Sequence, residues 1–183
     1  NDYSICRSPK SYNSQIGVPI SIWQLNKQHT LGIFEAGISE VGEMVILENI
    51  IKPSIGILNS LGTAHNEGFE NEEQKLTEKL YLFKNCKTTI INGLSINANL
   101  NVIEKHLINP FIISYEQNAH LQILDIKSEV SITVIKAKYN NSELSITIPF
   151  TDIASIHNAI TCWATLLYLK ISNTEIEVGM KRL

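Results

Sequence analysis

The sequence is poor in cysteine, has no excess of positive charge and contains no long apolar run. Its three cysteines in 183 residues form no CxxC pair, which argues against a disulfide scaffold or a zinc ribbon and for a reducing, cytoplasmic compartment. The formal net charge of -3 provides no electrostatic footprint for nucleic acid. Because there is neither a membrane-length apolar segment nor a signal peptide, we expect no membrane partner.

Hydrophobic residues make up 44% of the chain, which is enough for a sizeable core. The pattern centres on PSIGILNSLGTAHNEGF, residues 53–69, where the apolar run Ser54–Leu58 predicts a buried parallel strand. The loop after this run carries His65 and Glu67. Ligands of open α/β sheets bind beyond the carboxyl ends of the strands, so this loop is the first candidate site.

A second predicted strand, Leu31–Phe34, comes earlier in the chain and is followed by Glu35. Apolar residues at nearly helical spacing over Ser39–Ile51 predict a crossover helix between the two strands. We therefore expect a strand–helix–strand unit that is buried on both faces. In that unit Glu35 and His65 would converge at one edge of the sheet.

The remaining pattern predicts an α/β fold, a mostly parallel sheet flanked by helices with a small antiparallel β element. Asn71 is a predicted N-cap, with Gln74 in the first turn of its helix. Period-two alternation in three later runs, with Asn140-Asn141 as a turn, predicts the antiparallel element. The other predicted strands are Thr88–Asn92 and Phe111–Tyr115, and the other predicted helices are Ile20–Leu25, Asn97–Leu107, Thr151–Lys170 and Glu175–Met180. The first of these helices is expected to carry Trp23 into the core.

The segment Asn1–Pro19 is polar and irregular, and two interpretations are open. Its composition favours a surface loop. The alternative is a substrate-contacting loop that Ile16 and Val18 pack under the sheet.

Five motifs, SYNSQIGVP, FEAGISEVGEM, GILNSLGTAHNEGF, EKLYLF and IHNAI, follow one another along the chain. In this order they resemble the central domain of the Mur ligases, the ATP-dependent amide-forming enzymes of peptidoglycan synthesis. The antiparallel insertion and the IPF run before IHN resemble the MurF type, which adds D-alanyl-D-alanine to UDP-MurNAc-tripeptide. The first two motifs are also similar to proteins in which such a ligase is fused to an alanine racemase, which would bring pyridoxal phosphate outside these residues.

The resemblance implies ATP and Mg²⁺ as cofactors and assigns roles to eight residues. Glu35, His65 and Lys79 would hold the metal, with Lys79 carbamylated and with Lys79 and His65 as the catalytic residues. Asn158 would lie against the adenine of ATP, and His157 would also belong to the ATP-binding site. Ser11, Asn13 and Ser14 would contact the UDP-sugar or the phosphates.

Each of these roles has a plainer alternative. Glu35 could cap a helix or form a salt bridge, and His65 could be an ordinary loop histidine. Lys79 could lie on a solvated, ion-paired face of its helix. His157 and Asn158 could cap a helix start.

The chain departs from the family pattern in several places. It contains no GxxGK[ST] phosphate loop, so we expect residues 1–183 to be a piece of a longer protein, the central domain without its phosphate loop, N-terminal substrate domain and C-terminal domain. By themselves they should be inactive and bind ATP weakly. Where the family has GRHN, this chain has Ser155-Ile156-His157-Asn158. Two other functions remain open, a folylpolyglutamate synthase-like ligase and a non-catalytic α/β binding module.

Overall fold

The structure is a computed structural model that describes residues 3–62, 66–96, 103 and 105–183. The chain divides into two compact units. The first comprises Asn1–Ser54 and Gly62–Lys87, and the second comprises Ile55–Leu61 and Thr88–Leu183. None of the helices in the described part of the chain combines the length and the apolar character that a bilayer crossing needs.

The first unit combines a two-stranded parallel sheet with short helices. Its elements are β1 (Ile5–Arg7), α1 (Gly17–Ile22), β2 (Leu31–Ile33), α2 (Glu43–Ile51) and α3 (Glu72–Leu80). The strands β1 and β2 pair in register, with Cys6 opposite Gly32. Helix α2 packs against α1, α3 and a 3₁₀ turn at Tyr81–Phe83, around a core that includes Met44 and Leu47.

The second unit is built on a six-stranded sheet. Its strands are β3 (Ile55–Leu58), β4 (Thr88–Asn92), β5 (Pro110–Ser114), β6 (Leu121–Ser128), β7 (Thr133–Tyr139) and β8 (Ser142–Ile148). They lie side by side in the order β3-β4-β5-β6-β7-β8. The first three pairings are parallel and the last two antiparallel, so β6 joins the predicted antiparallel element to the parallel sheet. The predicted fold class is therefore confirmed.

Over residues 107–183, the described part of the second unit contains two helices, α4 (Ile153–Tyr168) and α5 (Asn173–Met180). Helix α4 packs against β4 and carries the fully buried Trp163 into the main apolar core. The predicted turn at Asn140-Asn141 is present, with both residues at positive φ between β7 and β8. Most of the predicted helix Asn97–Leu107 lies outside the described residues.

Two expectations about the first unit are wrong. β2 pairs with β1, and β3 pairs with β4, so the expected β2–β3 neighbours are not hydrogen-bonded to each other in the described part of the chain. The polar N-terminal segment supplied the unforeseen partner strand β1, because a three-residue strand leaves too short a pattern to recognise. Trp23 was expected in the core, yet α1 ends at Ile22 and the Trp23 side chain is 90% exposed.

Candidate functional site

Glu35 lies two residues beyond β2 and is exposed, although the sequence predicted a strand end buried on both faces. Its Oε1 accepts a hydrogen bond from the side-chain amide of Asn13, at 2.9 Å. The backbone N–H of Gly37 donates to the Asn13 carbonyl at 2.7 Å, so Asn13 holds this segment at two points. The second carboxylate oxygen of Glu35 has no hydrogen-bond partner among the described residues.

The loop that carries Asn13 is folded tightly against the start of α1. Ser14 Oγ accepts from the N–H of Gly17, the first residue of the helix, at 3.2 Å. A Cβ on Gly17 would lie 2.7 Å from the Tyr12 Cα, so only glycine permits this approach. Ser11 is exposed. Of the three predicted substrate contacts, Ser14 therefore shapes the loop, Asn13 binds Glu35 and Ser11 faces solvent.

Glu43, the first residue of α2, organises the segment that follows Glu35. Its carboxylate accepts from the Gln15 amide, from the Ser39 hydroxyl and from the backbone N–H groups of Ser39 and Glu40. Burial raises the pKa of Glu43, but these hydrogen bonds together outweigh burial and hold the pKa below its ordinary value. The ionised form of Glu43 is thus tied to the folded loop.

Glu78 performs a related task from α3. It is buried, and its Oε1 accepts from the N–H of Gly42 at 2.8 Å and from the N–H of Met44 at 3.1 Å. These donors lie at the N-terminus of α2, where backbone N–H groups have no partner within the helix. Glu78 therefore stands in for the N-cap side chain that Gly42 lacks.

Lys79 does not lie on a fully solvated face of its helix. Its neighbours Lys75 and Glu78 are each only 3% exposed, and Lys79 itself is half-buried. Burial, and then repulsion from Lys75, lower the pKa of the Lys79 amine below its ordinary value. A larger fraction of this amine is consequently neutral near pH 8 than in an exposed lysine. The predicted cap of α3 is confirmed, since Asn71 Oδ1 accepts from Gln74 N–H.

His65 lies outside the described residues, so its convergence with Glu35 stays a prediction. The turn that follows it, Asn66–Gly68, is described. Gly68 lies against the Ser39 carbonyl with no room for a Cβ, which fixes this turn beside the segment after Glu35. Within the described ranges no group of three or more His, Cys, Asp or Glu side chains could hold a metal ion.

The second unit holds a separate polar group at the carboxyl ends of β3 and β4. Asn59 follows the last residue of β3, and its Nδ2 donates to Asn158 Oδ1 at 2.6 Å. Asn158 is exposed, and its own Nδ2 has no partner among the described residues. Thr161, one turn further along α4, donates from its hydroxyl to Asn59 Oδ1 at 2.6 Å. Asn59 therefore connects the strand end to the exposed amide of Asn158.

Asn92, the last residue of β4, anchors this group and is fully buried. Its Nδ2 donates to the His157 carbonyl at 3.0 Å and to Thr161 Oγ1 at 2.9 Å. Its Oδ1 accepts from the Leu94 N–H at 3.1 Å. Because both the oxygen and the nitrogen of this buried amide have hydrogen-bond partners, the Asn92 side chain is held in one orientation.

Neither His157 nor Asn158 caps α4. The N-cap is Asp152, whose carboxylate accepts from the Ser155 N–H at 2.9 Å, and the two residues lie in the second turn. Burial lowers the pKa of His157 below its ordinary value of 6.5, so the imidazole is neutral at pH 7. Both side chains are thus free for a role other than capping.

The sequence interpretation missed five residues that position these groups: Glu43, Glu78, Asn59, Asn92 and Thr161. A usable signal existed for the two asparagines, because each directly ends an apolar strand in GILN and TTIIN. Thr161 and Glu78 carried none, since their partners are distant in sequence.

Comparisons with known proteins identify the family to which the chain is similar. The family model described as Mur ligase middle domain matches residues 2–166. A UDP-N-acetylmuramoyl-tripeptide–D-alanyl-D-alanine ligase from Buchnera aphidicola is 28% identical over 174 residues, 92% of this chain and 38% of that protein.

Solved structures show the same fold. A MurF structure from Acinetobacter baumannii superimposes with a TM-score of 0.83 and 18% identity, over 98% of this chain and 40% of that one. A MurF ligase from Thermotoga maritima in complex with ADP gives a TM-score of 0.78 and 17% identity, over 97% and 42%. The chain thus spans about two fifths of the length of the proteins that it matches.

Proposed function

Because the chain belongs to the Mur ligase middle-domain family, we propose that it is the nucleotide-handling part of an ATP-dependent amide ligase. The protein would add D-alanyl-D-alanine to UDP-MurNAc-tripeptide in the cytoplasm. The observation that carries this proposal is the likeness, over 92% of the chain, to a relative named for that reaction.

In the second unit, the proposed role of His157 and Asn158 is to contact the adenine of ATP. The neutral imidazole supports it, as does the NH₂ group of Asn158, which has no partner among the described residues, because both can hydrogen-bond to an uncharged heterocycle. The ADP in the Thermotoga maritima relative supports a nucleotide for this fold.

In the first unit, Glu35 would contribute to Mg²⁺ binding. Its exposed carboxylate fits a hard cation that prefers oxygen ligands, since one oxygen is held by Asn13 and the other is uncommitted among the described residues. His65 would be a further ligand. When bound, the metal would supply charge neutralisation for the phosphates.

Lys79 would bind the same Mg²⁺ ion only after a chemical change. As an ammonium it would repel Mg²⁺, whereas its lowered pKa favours the neutral amine that adds carbon dioxide. The product, a carbamate, is an anion with two oxygens. Carbamylated Lys79 is therefore the proposed third ligand.

The proposed reaction has two steps. The tripeptide carboxylate attacks the γ-phosphate of ATP, which gives an acyl phosphate and ADP. The amine of D-alanyl-D-alanine then attacks the acyl carbon, and phosphate leaves as the amide bond forms. The contribution of the protein is mainly the positioning of the reactants.

The test is product formation by the natural full-length protein with ATP, Mg²⁺ and UDP-MurNAc-tripeptide. Mass spectrometry should detect the pentapeptide product with D-alanyl-D-alanine and not with glutamate. Glutamate addition to a folate in a parallel reaction would instead identify the folylpolyglutamate synthase-like alternative. ATP binding without any amide product would support the non-catalytic binding module.

A further inference from the structure

In the polar group of the second unit, each side chain has a fixed role as donor or acceptor. These roles are set by Asn92, because its side-chain oxygen faces a backbone donor and its NH₂ group faces a backbone acceptor. The Leu94 N–H can only donate, so it must face the Asn92 oxygen, at 3.1 Å. The His157 carbonyl can only accept, so it must face the Asn92 NH₂ group, at 3.0 Å. The amide of Asn92 therefore has one orientation.

Asn92 passes this direction to Thr161. The second N–H of the Asn92 amide donates to Thr161 Oγ1 at 2.9 Å. The single hydroxyl proton of Thr161 is then available to Asn59 Oδ1 at 2.6 Å or to the His157 carbonyl at 2.9 Å. The His157 carbonyl keeps a second lone pair for this proton, but the contact with Asn59 is the shorter of the two, so the proton is assigned to Asn59.

Thr161 in turn fixes Asn59, and Asn59 fixes Asn158. Asn59 Oδ1 accepts from the Thr161 hydroxyl at 2.6 Å, and the Asn92 nitrogen, whose two protons are engaged elsewhere, lies 3.5 Å from it. The Asn59 NH₂ group must then point away from them, and it donates to Asn158 Oδ1 at 2.6 Å. With its oxygen engaged, Asn158 presents its NH₂ group outward.

We infer that Asn59, Thr161 and Asn92 are positioning residues that fix Asn158 as a hydrogen-bond donor, so that the ligand atom it contacts is an acceptor. The inference rests on the proposed function for the identity of the ligand. In adenine the acceptors are the ring nitrogens, whereas the 6-amino group donates. Asn158 therefore recognises a ring nitrogen and not the amino group.

The test measures dissociation constants of ADP–Mg²⁺ and its analogues by calorimetric titration into the natural full-length protein. Three analogues replace N1, N3 or N7 by carbon, and a fourth lacks the 6-amino group. One of the three deaza analogues should bind about tenfold more weakly than ADP, the worth of one hydrogen bond to a neutral acceptor. That difference should disappear in Asn158→Ala. If Asn158→Ala instead abolishes a difference shown by the analogue without the amino group, the inference is overturned.

The positioning role is tested with three variants of α4. Thr161→Val keeps the side-chain shape without the proton, and it should reduce the deaza difference to less than about threefold. Thr161→Ser should restore it. The matched control is Thr165→Val. Within the described part of the chain, the Thr165 hydroxyl donates only to the Thr161 carbonyl, at 2.8 Å, so this variant should behave as the wild type. A full deaza difference in Thr161→Val would show that the network positions nothing.

A ligand-free measurement separates this inference from the proposed function. If the wild-type protein binds no adenine nucleotide, the proposed function fails. Neutron diffraction from nucleotide-free crystals still locates the deuterium atoms of Asn158. Deuterium on the outward atom supports the inferred direction, and deuterium on the atom that faces Asn59 overturns it.

Discussion

The side-chain amide of Asn13 donates a hydrogen bond to Glu35 Oε1 at 2.9 Å, across 22 positions in the sequence. This contact leaves one oxygen of an exposed carboxylate uncommitted among the described residues, and it restricts where that oxygen can point. In many proteins, a hydrogen bond from a neighbouring residue orients the side chain that binds a metal ion. The proposed metal group therefore depends on a residue that the sequence suggested only as a substrate contact.

Replacement of Asn13 should weaken the use of Mg²⁺. In Asn13→Ala, the Glu35 side chain loses its fixed orientation, so the Mg²⁺ concentration for half-maximal ligase rate should rise by about tenfold. The matched control is Asn49→Ala, since the only acceptor of the Asn49 amide among the described residues is the Val45 carbonyl on α2. An unchanged Mg²⁺ dependence in Asn13→Ala would show that this hydrogen bond does not orient a metal ligand.

Glu78 should contribute strongly to stability. Glu78→Ala leaves the N–H groups of Gly42 and Met44 unpaired at a helix start, which should cost about 1–3 kcal/mol in the free energy of unfolding. Glu78→Gln retains an acceptor oxygen and should lose less. Urea denaturation provides the measurement, with the exposed Glu70→Ala as control, expected within about 0.5 kcal/mol of the wild type. Equal stability of Glu78→Ala and Glu70→Ala would contradict the capping role.

The stability of the folded loop should depend on pH through Glu43. Its folded pKa lies below the ordinary value of 4.5, so the unfolded chain binds more protons in the interval between the two values. The stabilisation is complete above pH 4.5 and is lost as the pH falls through the folded pKa. Unfolding measured from pH 6 downward should show a shallower decline in Glu43→Gln than in the wild type. Identical pH profiles would mean that the carboxylate is not held in this way.

Much of the fold was predictable because its strands are short apolar runs bounded by turn residues. Thr88–Asn92 and Asn140-Asn141 were placed as the structure has them. β1 was not predicted, since its three residues, ICR, are too few to show a periodic pattern of apolar residues. The expectation that β2 and β3 are neighbours came from the strand–helix–strand pattern, which gives no sign of the extra strand β1. Trp23 was misplaced because one bulky residue after a six-residue helix does not determine which way it faces.

The candidate site was less accessible from sequence. The resemblance of the motifs pointed to Glu35, Lys79 and Asn158. The contacts that position such side chains and the nearby start of α2 join residues far apart in the sequence, such as Asn59 with Asn158 and Gly42 with Glu78. No local pattern encodes such pairs. The solvated interpretation of the α3 surface was wrong for a related reason, because the burial of Lys75 depends on tertiary packing.

Lys79 should be essential for amide formation and replaceable in part by added carboxylates. Lys79→Ala removes the amine that would form the carbamate, so the ligase rate should fall by about a hundredfold or more. Formate or acetate should restore part of the rate, because a small carboxylate supplies the two missing oxygens. The rate of the wild type should also rise with bicarbonate, whereas that of Lys79→Ala should not. Full activity of the alanine variant would make Lys79 a structural residue.

The most direct test of an acyl-phosphate ligase follows the oxygen atoms of the substrate. The natural full-length protein is supplied with ATP, Mg²⁺, D-alanyl-D-alanine and UDP-MurNAc-tripeptide labelled with ¹⁸O in its terminal carboxylate. If that carboxylate attacks the γ-phosphate, one ¹⁸O atom per turnover appears in the released phosphate, and mass spectrometry detects it. Phosphate without label, accompanied by ATP hydrolysis, would contradict the proposed reaction.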